Sequence, residues 1–300
     1  MDELKEVEGE LFYHNYSRVL SIIGFLFLIG LILFSDNIFS CNDKTLQGKC
    51  SDTLPFFCEK GKLIEKAFIC GCPNGLIRDG DFCISEYSSN FKNISLNYFL
   101  ESKEGVIEFV ADEGFYNYIA GIPRFLTKKE NEIPSREDFK LTSINNEEQR
   151  KMILPLVIEI KNRASRKDNQ AKIAISLVQN IEYNASEKKI DFFGSDVDYS
   201  RYPYEVLYEK QGICGEKSEL LALLLKELDY GVAIFYFDKE QHEAVGIKCP
   251  SHKDFEDTGY CFIETTSRLE NNVYIGATKE FKSKPEVIII ADGKSIGYWF

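Results

Sequence analysis

Histidine is scarce in this chain, three residues in 300, at His14, His242 and His252, so a histidine-built metal cluster has almost nothing to draw on. Basic charge is also short. Against 48 acidic side chains stand 36 Lys and Arg, a formal net charge of -12, which offers no phosphate-seeking surface and excludes nucleic acid as an expected partner. No internal repeat, low-complexity tract or nucleotide, haem or metal motif occurs, so neither a cofactor nor a metal is expected. What is present is a chain long enough, and at 44% hydrophobic apolar enough, to bury one large core or two ordinary ones.

The longest apolar run, Val19 to Phe34, has no charge and at ~1.5 Å per helical residue reaches ~24 Å, a slightly short membrane span. Tyr13, Tyr16, Phe34 and Phe39 can lie at the two interfaces, with Arg18 abutting one end. A cleaved signal peptide fits less well, because Asp2, Glu3, Glu6, Glu8 and Glu10 outnumber Lys5 and Arg18 and no A-x-A site follows. A lipoprotein cut before Cys41 meets Asp36 and a bulky Phe39 on its approach. The expectation is a cytoplasmic tail at 1–18, a single transmembrane helix at 19–35 serving as membrane anchor, and an extracytoplasmic remainder.

Cysteine sets the side. Cys41, Cys50, Cys58, Cys70, Cys72 and Cys83 crowd one stretch with Gly-rich turns, which reads as a disulfide module over 36–90. Zinc is the rival, but the stretch has no histidine and no paired C-x2-C knuckles. Fifteen connectivities are open for the six. Cys249 and Cys261, on neighbouring predicted strands, can form a further bridge.

Residues 91–127 read as a small β-unit, with β-rich runs at Gly105–Ala111 and Phe115–Ala120 divided by Asp112-Glu-Gly114. The polar stretch Thr127 to Asn146 reads as a connector, completing a 91–145 segment. Helical periodicity follows over Glu147–Ala164, kinked at Pro155, over 168–181 with Asp168 as cap, over Tyr204–Lys210, and from Cys214 to about Leu228. Strand patterns come after, at 232–237, 243–248, 260–265 and 287–290. Helices first and strands second predict an α+β fold for 146–300.

Cys214 begins a predicted helix, where orphan N–H groups and the positive end of the dipole favour a thiolate. Eight of nine cysteines can pair, which leaves this one free. A nucleophilic thiolate needs a base. His14 is on the wrong side of the expected membrane and His252 is in a polar loop, so His242 is the candidate, with Glu264 to fix its tautomer. Alternation puts His242 and Glu264 on one face of a strand pair and Cys249 and Cys261 on the other. Opposing both pairs directly needs two different registers, and a bulge or an offset at Pro250 is expected to absorb the difference. Gln211 is a side-chain candidate for stabilising an oxyanion, beside the backbone N–H of Cys214.

Six stretches then stand out: Leu177–Tyr183, Arg201-Tyr-Pro-Tyr-Glu-Val-Leu207, Gly212-Ile-Cys-Gly-Glu-Lys-Ser-Glu-Leu-Leu221, Leu228–Ile234, His242-Glu-Ala-Val-Gly246 and Phe262-Ile-Glu-Thr-Thr266. In that order they resemble the transglutaminase-like superfamily, within it a membrane-anchored, chiefly archaeal group, over residues 146–290. The resemblance implies a papain-like arrangement in which the helix carrying the nucleophile packs on an antiparallel sheet. It implies Cys214 as nucleophile, His242 as base and Glu264 as orienter, acting on peptide or glutamine amides of a peptide or protein substrate by hydrolysis or transfer. Ile213, Gly215 and Glu216 depart from the Gly-Asp-Cys-Glu-Asp common around that nucleophile. Two other classes of function stand beside this one: a catalytically silent module that binds peptide or envelope partners, and a purely structural stapled anchor.

Overall fold

A computed structural model describes residues 22–26, 40–122, 134–192, 195–266 and 281–297. The membrane-spanning expectation is overturned: among the described residues no helix is long and apolar enough to cross a membrane. Of the span expected at 19–35 only 22–26 are described, a single exposed helical turn (α1), and the remainder, with the tail at 1–18, lies outside the described residues. The apolar run itself falls below the ~20 residues a span needs. The transmembrane element of the expected fold and the single-pass location are withdrawn with it.

The chain divides into two compact units, one ending at Gly71 and one running from Cys72. In the first, β1 (Phe56–Glu59) and β2 (Lys62–Glu65) form an antiparallel hairpin followed by the short α2 (Ala67–Cys70). Phe56, Cys58, Leu63 and Ala67 are buried, too little apolar surface to hold a unit this small. Cys41–Cys58 and Cys50–Cys70 staple it. Removing one staple as Cys41→Ser/Cys58→Ser is expected to cost about 2–4 kcal/mol. Limited proteolysis checks this: new cleavages should fall within 41–71 while the fragment from Cys72 onward stays intact.

The second unit opens with a hairpin of β3 (Ile77–Asp79) and β4 (Phe82–Ile84) closed by Cys72–Cys83. The six cysteines of the expected module therefore distribute as two bridges before Gly71 and one after it. With Cys249–Cys261 they make four disulfides, consistent with an oxidising environment outside the cytoplasm.

A long ribbon of β5 (Phe91–Leu100) and β6 (Lys103–Asp112) comes next and packs its inner residues, Ile94, Leu96, Ile107 and Phe109, into the main core. The strand expected at Phe115–Ala120 is instead helix α3 (Glu113–Ala120). Asp112 is its cap: the carboxylate accepts from the Phe115 N–H at 3.1 Å, which turns Asp-Glu-Gly from a strand divider into a helix start, with Phe115 and Ile119 buried four apart. The expected polar connector likewise holds a helix, α4 (Arg136–Ile144), opened by a Ser135–Asp138 capping box.

Helices α5 (Glu147–Arg163, with Pro155 inside), α6 (Lys167–Gln179) and α7 (Pro203–Glu209) surround α8 (Cys214–Glu227), whose residues from Glu216 to Leu225 are all buried. A helix covered on every side is the centre of its domain. The cap expected of Asp168 is not made: α6 starts at Lys167, and the Asp168 carboxylate accepts from the Tyr230 hydroxyl at 3.3 Å. Short pairs flank the bundle, β7 (Glu182–Tyr183) parallel to β10 (Gln211–Gly212), and β8 (Lys189–Phe192) antiparallel to β9 (Ser195–Asp198).

The largest sheet is antiparallel in the order β13-β12-β11-β14, from β11 (Val232–Phe237), β12 (His242–Lys248), β13 (Tyr260–Ile263) and β14 (Glu286–Ala291). Its Val232, Ile234, Val245, Ile247 and Ile263 side chains join the core around α8. The opposite face carries Ala233, Phe235, Phe237, Ala244 and Phe262 under Phe255 and Phe281. The architecture is α+β, with α8 pressed on the antiparallel sheet.

Candidate active site

Two elements meet at the site, the start of α8 and the start of β12. Ile213 is extended, and the next residue, Cys214, is the first of the helix. Glu216 fixes this start: its carboxylate accepts from the Ile213 N–H at 2.9 Å and from the Arg201 N–H at 2.7 Å. The Arg201 guanidinium lies on the same carboxylate at 3.1 Å, on Glu209 at 2.6 Å and on the Asn184 carbonyl at 3.1 Å. Arg201 and Glu216 are both buried.

Cys214 is the free cysteine among the described residues, its partners-to-be all occupied in disulfides. Its sulfur is hydrogen-bonded with the His242 ring and with the backbone of Glu243, both at the beginning of β12. His242 Nε2 lies 2.9 Å from Glu264 Oε2. Glu264 is itself held: Thr266 donates to it through its N–H at 3.0 Å and its hydroxyl at 2.7 Å, and the Gln179 amide donates to its carbonyl at 2.8 Å. Phe281 stacks on Phe237 at 3.8 Å and lies 6.2 Å from the His242 ring, which walls the imidazole on its apolar side.

One unbroken register of β12 on β13 accommodates both pairs of the sheet, so the expected bulge is absent. Ile247 faces Cys261 and Lys248 faces Tyr260; on that register Cys249 lies two residues off Cys261 in one direction, and His242 two residues off Glu264 in the other. Both are diagonal neighbours, within reach of a disulfide (Cα–Cα 5.7 Å) at one end and of a long Glu side chain at the other. The bridge sits at the α8-facing core, while His242 and Glu264 sit on the phenylalanine face.

The electrostatics follow from this arrangement. Burial opposes ionisation of Cys214, but the hydrogen bonds from His242 and the Glu243 backbone outweigh it and lower the thiol below its ordinary value. Burial also opposes the charge on His242, yet Cys214 and Glu264 raise it to about 9. Glu264, despite burial, is lowered to about 2 by His242 and Thr266. At neutral pH His242 is therefore imidazolium and Glu264 carboxylate, and the ring beside Cys214 favours the ionised form of its thiol.

The other candidates fall elsewhere. Gln211 is tied on both sides of its amide, Nε2 to Glu209 at 3.1 Å and Oε1 to Asn184 at 3.0 Å. His252 is exposed in the loop between β12 and β13, and His14 lies outside the described residues. No group of three or more His, Cys, Asp or Glu that could hold a metal occurs among the described residues. Residues that sequence reasoning passed over include Gln179, Arg201 and Glu216 as supports, and a buried cluster of Lys140, Glu219 and Glu243 beside the helix start. Only Glu216 carried a local signal, an acid at the third position of a helix.

A cavity of about 250 Å³ lies between β5, the end of α6 and Glu209-Lys210, and Cys214, His242 and Glu264 do not line it. Comparison with protein-family models, curated proteins and solved structures finds no match to this chain.

Proposed function

We propose that the protein is a cysteine acyl-transfer enzyme acting on peptide or glutamine-side-chain amides, similar in its chemistry to the transglutaminase-like superfamily that the sequence resembles. The observation that carries the reading is the convergence of Cys214, His242 and Glu264, with the carboxylate 2.9 Å from one ring nitrogen and the imidazole interacting with the thiol.

The steps balance within these groups. The thiolate attacks the amide carbonyl carbon, and the oxyanion forms at the start of α8, where first-turn N–H groups lack intrahelical acceptors. The imidazolium gives its proton to the departing nitrogen as the C–N bond breaks, which leaves a thioester and a neutral ring. The ring then takes a proton from water or an incoming amine, the new bond to carbon forms, the C–S bond breaks and the thiolate returns. Throughout, Glu264 stays ionised and holds the ring.

The test is alkylation of the unreduced protein with iodoacetamide between pH 5 and 9, with the adduct mapped by mass spectrometry. Fast labelling confined to Cys214, with its midpoint below the ~8.5 of a free thiol, is the expected result. Release of peptide fragments, against incorporation of a fluorescent amine into a glutamine peptide, then separates hydrolysis from transfer, and both should vanish in Cys214→Ala. A slow thiol with an ordinary midpoint would overturn the enzyme reading and favour a silent binding module.

A further inference from the structure

Behind the nucleophile lies a second set of charges that the trio does not use. The Lys140 ammonium, from α4, is 2.7 Å from Glu219 of α8 and 2.7 Å from Glu243 of β12, and Ser143 donates to the other oxygen of Glu219 at 2.5 Å. All four residues are buried. The cluster touches the start of α8: a Cβ built on Gly215 would lie 3.0 Å from Glu243 Oε2 and 3.4 Å from Lys140 Nζ. Glycine next to the nucleophile, one of the departures from the family pattern, thus leaves the room these two groups occupy.

We infer that Lys140 is a positioning residue for Cys214 that acts through Glu243: clamped between Glu219 and Glu243, its ammonium cancels the carboxylate that lies against the helix start. The inference rests on the reading of Cys214 as a nucleophile.

Two effects of Glu243 on the sulfur have opposite signs. Its backbone hydrogen bond favours the thiolate, while the charge of its carboxylate disfavours it. A strand that brings the useful N–H therefore also brings an unwanted anion, and a cation on that anion resolves the conflict. Arg136 is the other cation on Glu243, at a longer 3.8 Å, with its guanidinium stacked 3.3 Å over the Tyr236 ring and 3.7 Å from Glu286. Facing Cys214 are His242 and Glu243 from β12, while Tyr183 of β7 lies close enough to feel the charges of Cys214, Glu216 and Glu264. Lys140 is held charged: burial works against it, but Glu219 and Glu243 raise it above its ordinary value. Replacing a buried ion cluster by apolar groups is often neutral for stability, so packing alone does not explain its place beside the thiol.

The experiment is the labelling rate of Cys214 at pH 6 in the full chain, for wild type, Lys140→Met, Glu243→Gln and the double variant, with intact disulfides and a cooperative melt as the folding control. In Lys140→Met the rate should fall about tenfold, the effect of moving a thiol midpoint up by about one unit. Glu243→Gln should label at least as fast as wild type, and Lys140→Met/Glu243→Gln should recover to within about threefold of it, because both charges at the sulfur are then gone. A purely structural lysine predicts the opposite, a double variant as slow as the single, since both lose the anchor on Glu219. If Lys140→Met does not fold, Lys140→Met/Glu219→Gln removes the lysine with its second carboxylate and still leaves Glu243 uncompensated; slow labelling, rescued by adding Glu243→Gln, is again required. Wild-type rates in Lys140→Met, or no rescue, overturn the inference. A wild-type Cys214 that labels like a free thiol overturns the nucleophile reading instead, so the two failures are told apart by the unsubstituted protein.

Discussion

His242→Ala should slow iodoacetamide labelling of Cys214 at pH 6 by about tenfold or more, because the thiol loses the imidazole that lowers it, and each unit by which its midpoint rises costs about tenfold in thiolate. Turnover of any amide substrate should fall by about 10²–10⁴-fold, since both the proton donor for the leaving group and the base for deacylation are lost. His252→Ala, in the exposed loop, is the control and should change neither. Equal labelling rates in wild type and His242→Ala at pH 6 would show that the imidazole does not sustain the thiolate, and the proposed mechanism would fail with it.

The same contacts set the pH profile. With the thiol lowered and His242 raised to about 9, the ion pair is lost as the ring deprotonates, so acylation should decline as pH rises through about 9. Stability follows a matching rule. His242 is raised above its ordinary 6.5, so its contribution is complete below that value and is lost as pH climbs through about 9. Glu264 is lowered from 4.5 to about 2, so its contribution is complete above 4.5 and disappears as pH falls towards 2. Thermal melts across pH should show both flanks, and Glu264→Gln should flatten the acid one.

How much of this was legible depends on whether the governing interaction is local. Cysteine parity isolated Cys214, and strand alternation placed His242 with Glu264 and Cys249 with Cys261, because both are properties of neighbouring residues. Register was not local. The bulge expected near Pro250 came from treating both pairs as directly opposed, whereas a single intermediate register makes both diagonal. Composition misled twice in the same way: β-rich Phe115–Ala120 became helical because Asp112 caps it, and the polar connector hides α4, whose Lys140 faces the core. The apolar run at 19–34 invited a membrane span that no described helix supplies. Gln211 was chosen for proximity in sequence, and its amide is committed to Glu209 and Asn184. Arg201 and Glu216 meet across fifteen positions, and nothing in either neighbourhood announces the other.

That last pair carries the largest expected effect on folding. Arg201→Met should destabilise the second unit by about 3–5 kcal/mol, the cost of leaving a buried carboxylate without its cation. Glu216 would keep the Ile213 and Arg201 backbone N–H groups but lose the guanidinium, and Glu209 would keep Tyr116 at 2.6 Å and Gln211 at 3.1 Å. The burden therefore falls on Glu216, the residue that starts the nucleophile helix. Arg201→Lys should recover little, because one ammonium cannot serve Glu209, Glu216 and the Asn184 carbonyl from a planar fork. Arg201→Met/Glu216→Gln should recover part of the loss by removing the stranded charge. Urea denaturation of wild type, Arg201→Met, Arg201→Lys, Glu216→Gln and the double variant reads this directly, and Cys214 labelling of the folded fraction reads the local consequence. A double variant as unstable as Arg201→Met plus Glu216→Gln taken separately would mean that the two side chains act independently, and that the start of α8 is held by something other than this ion pair.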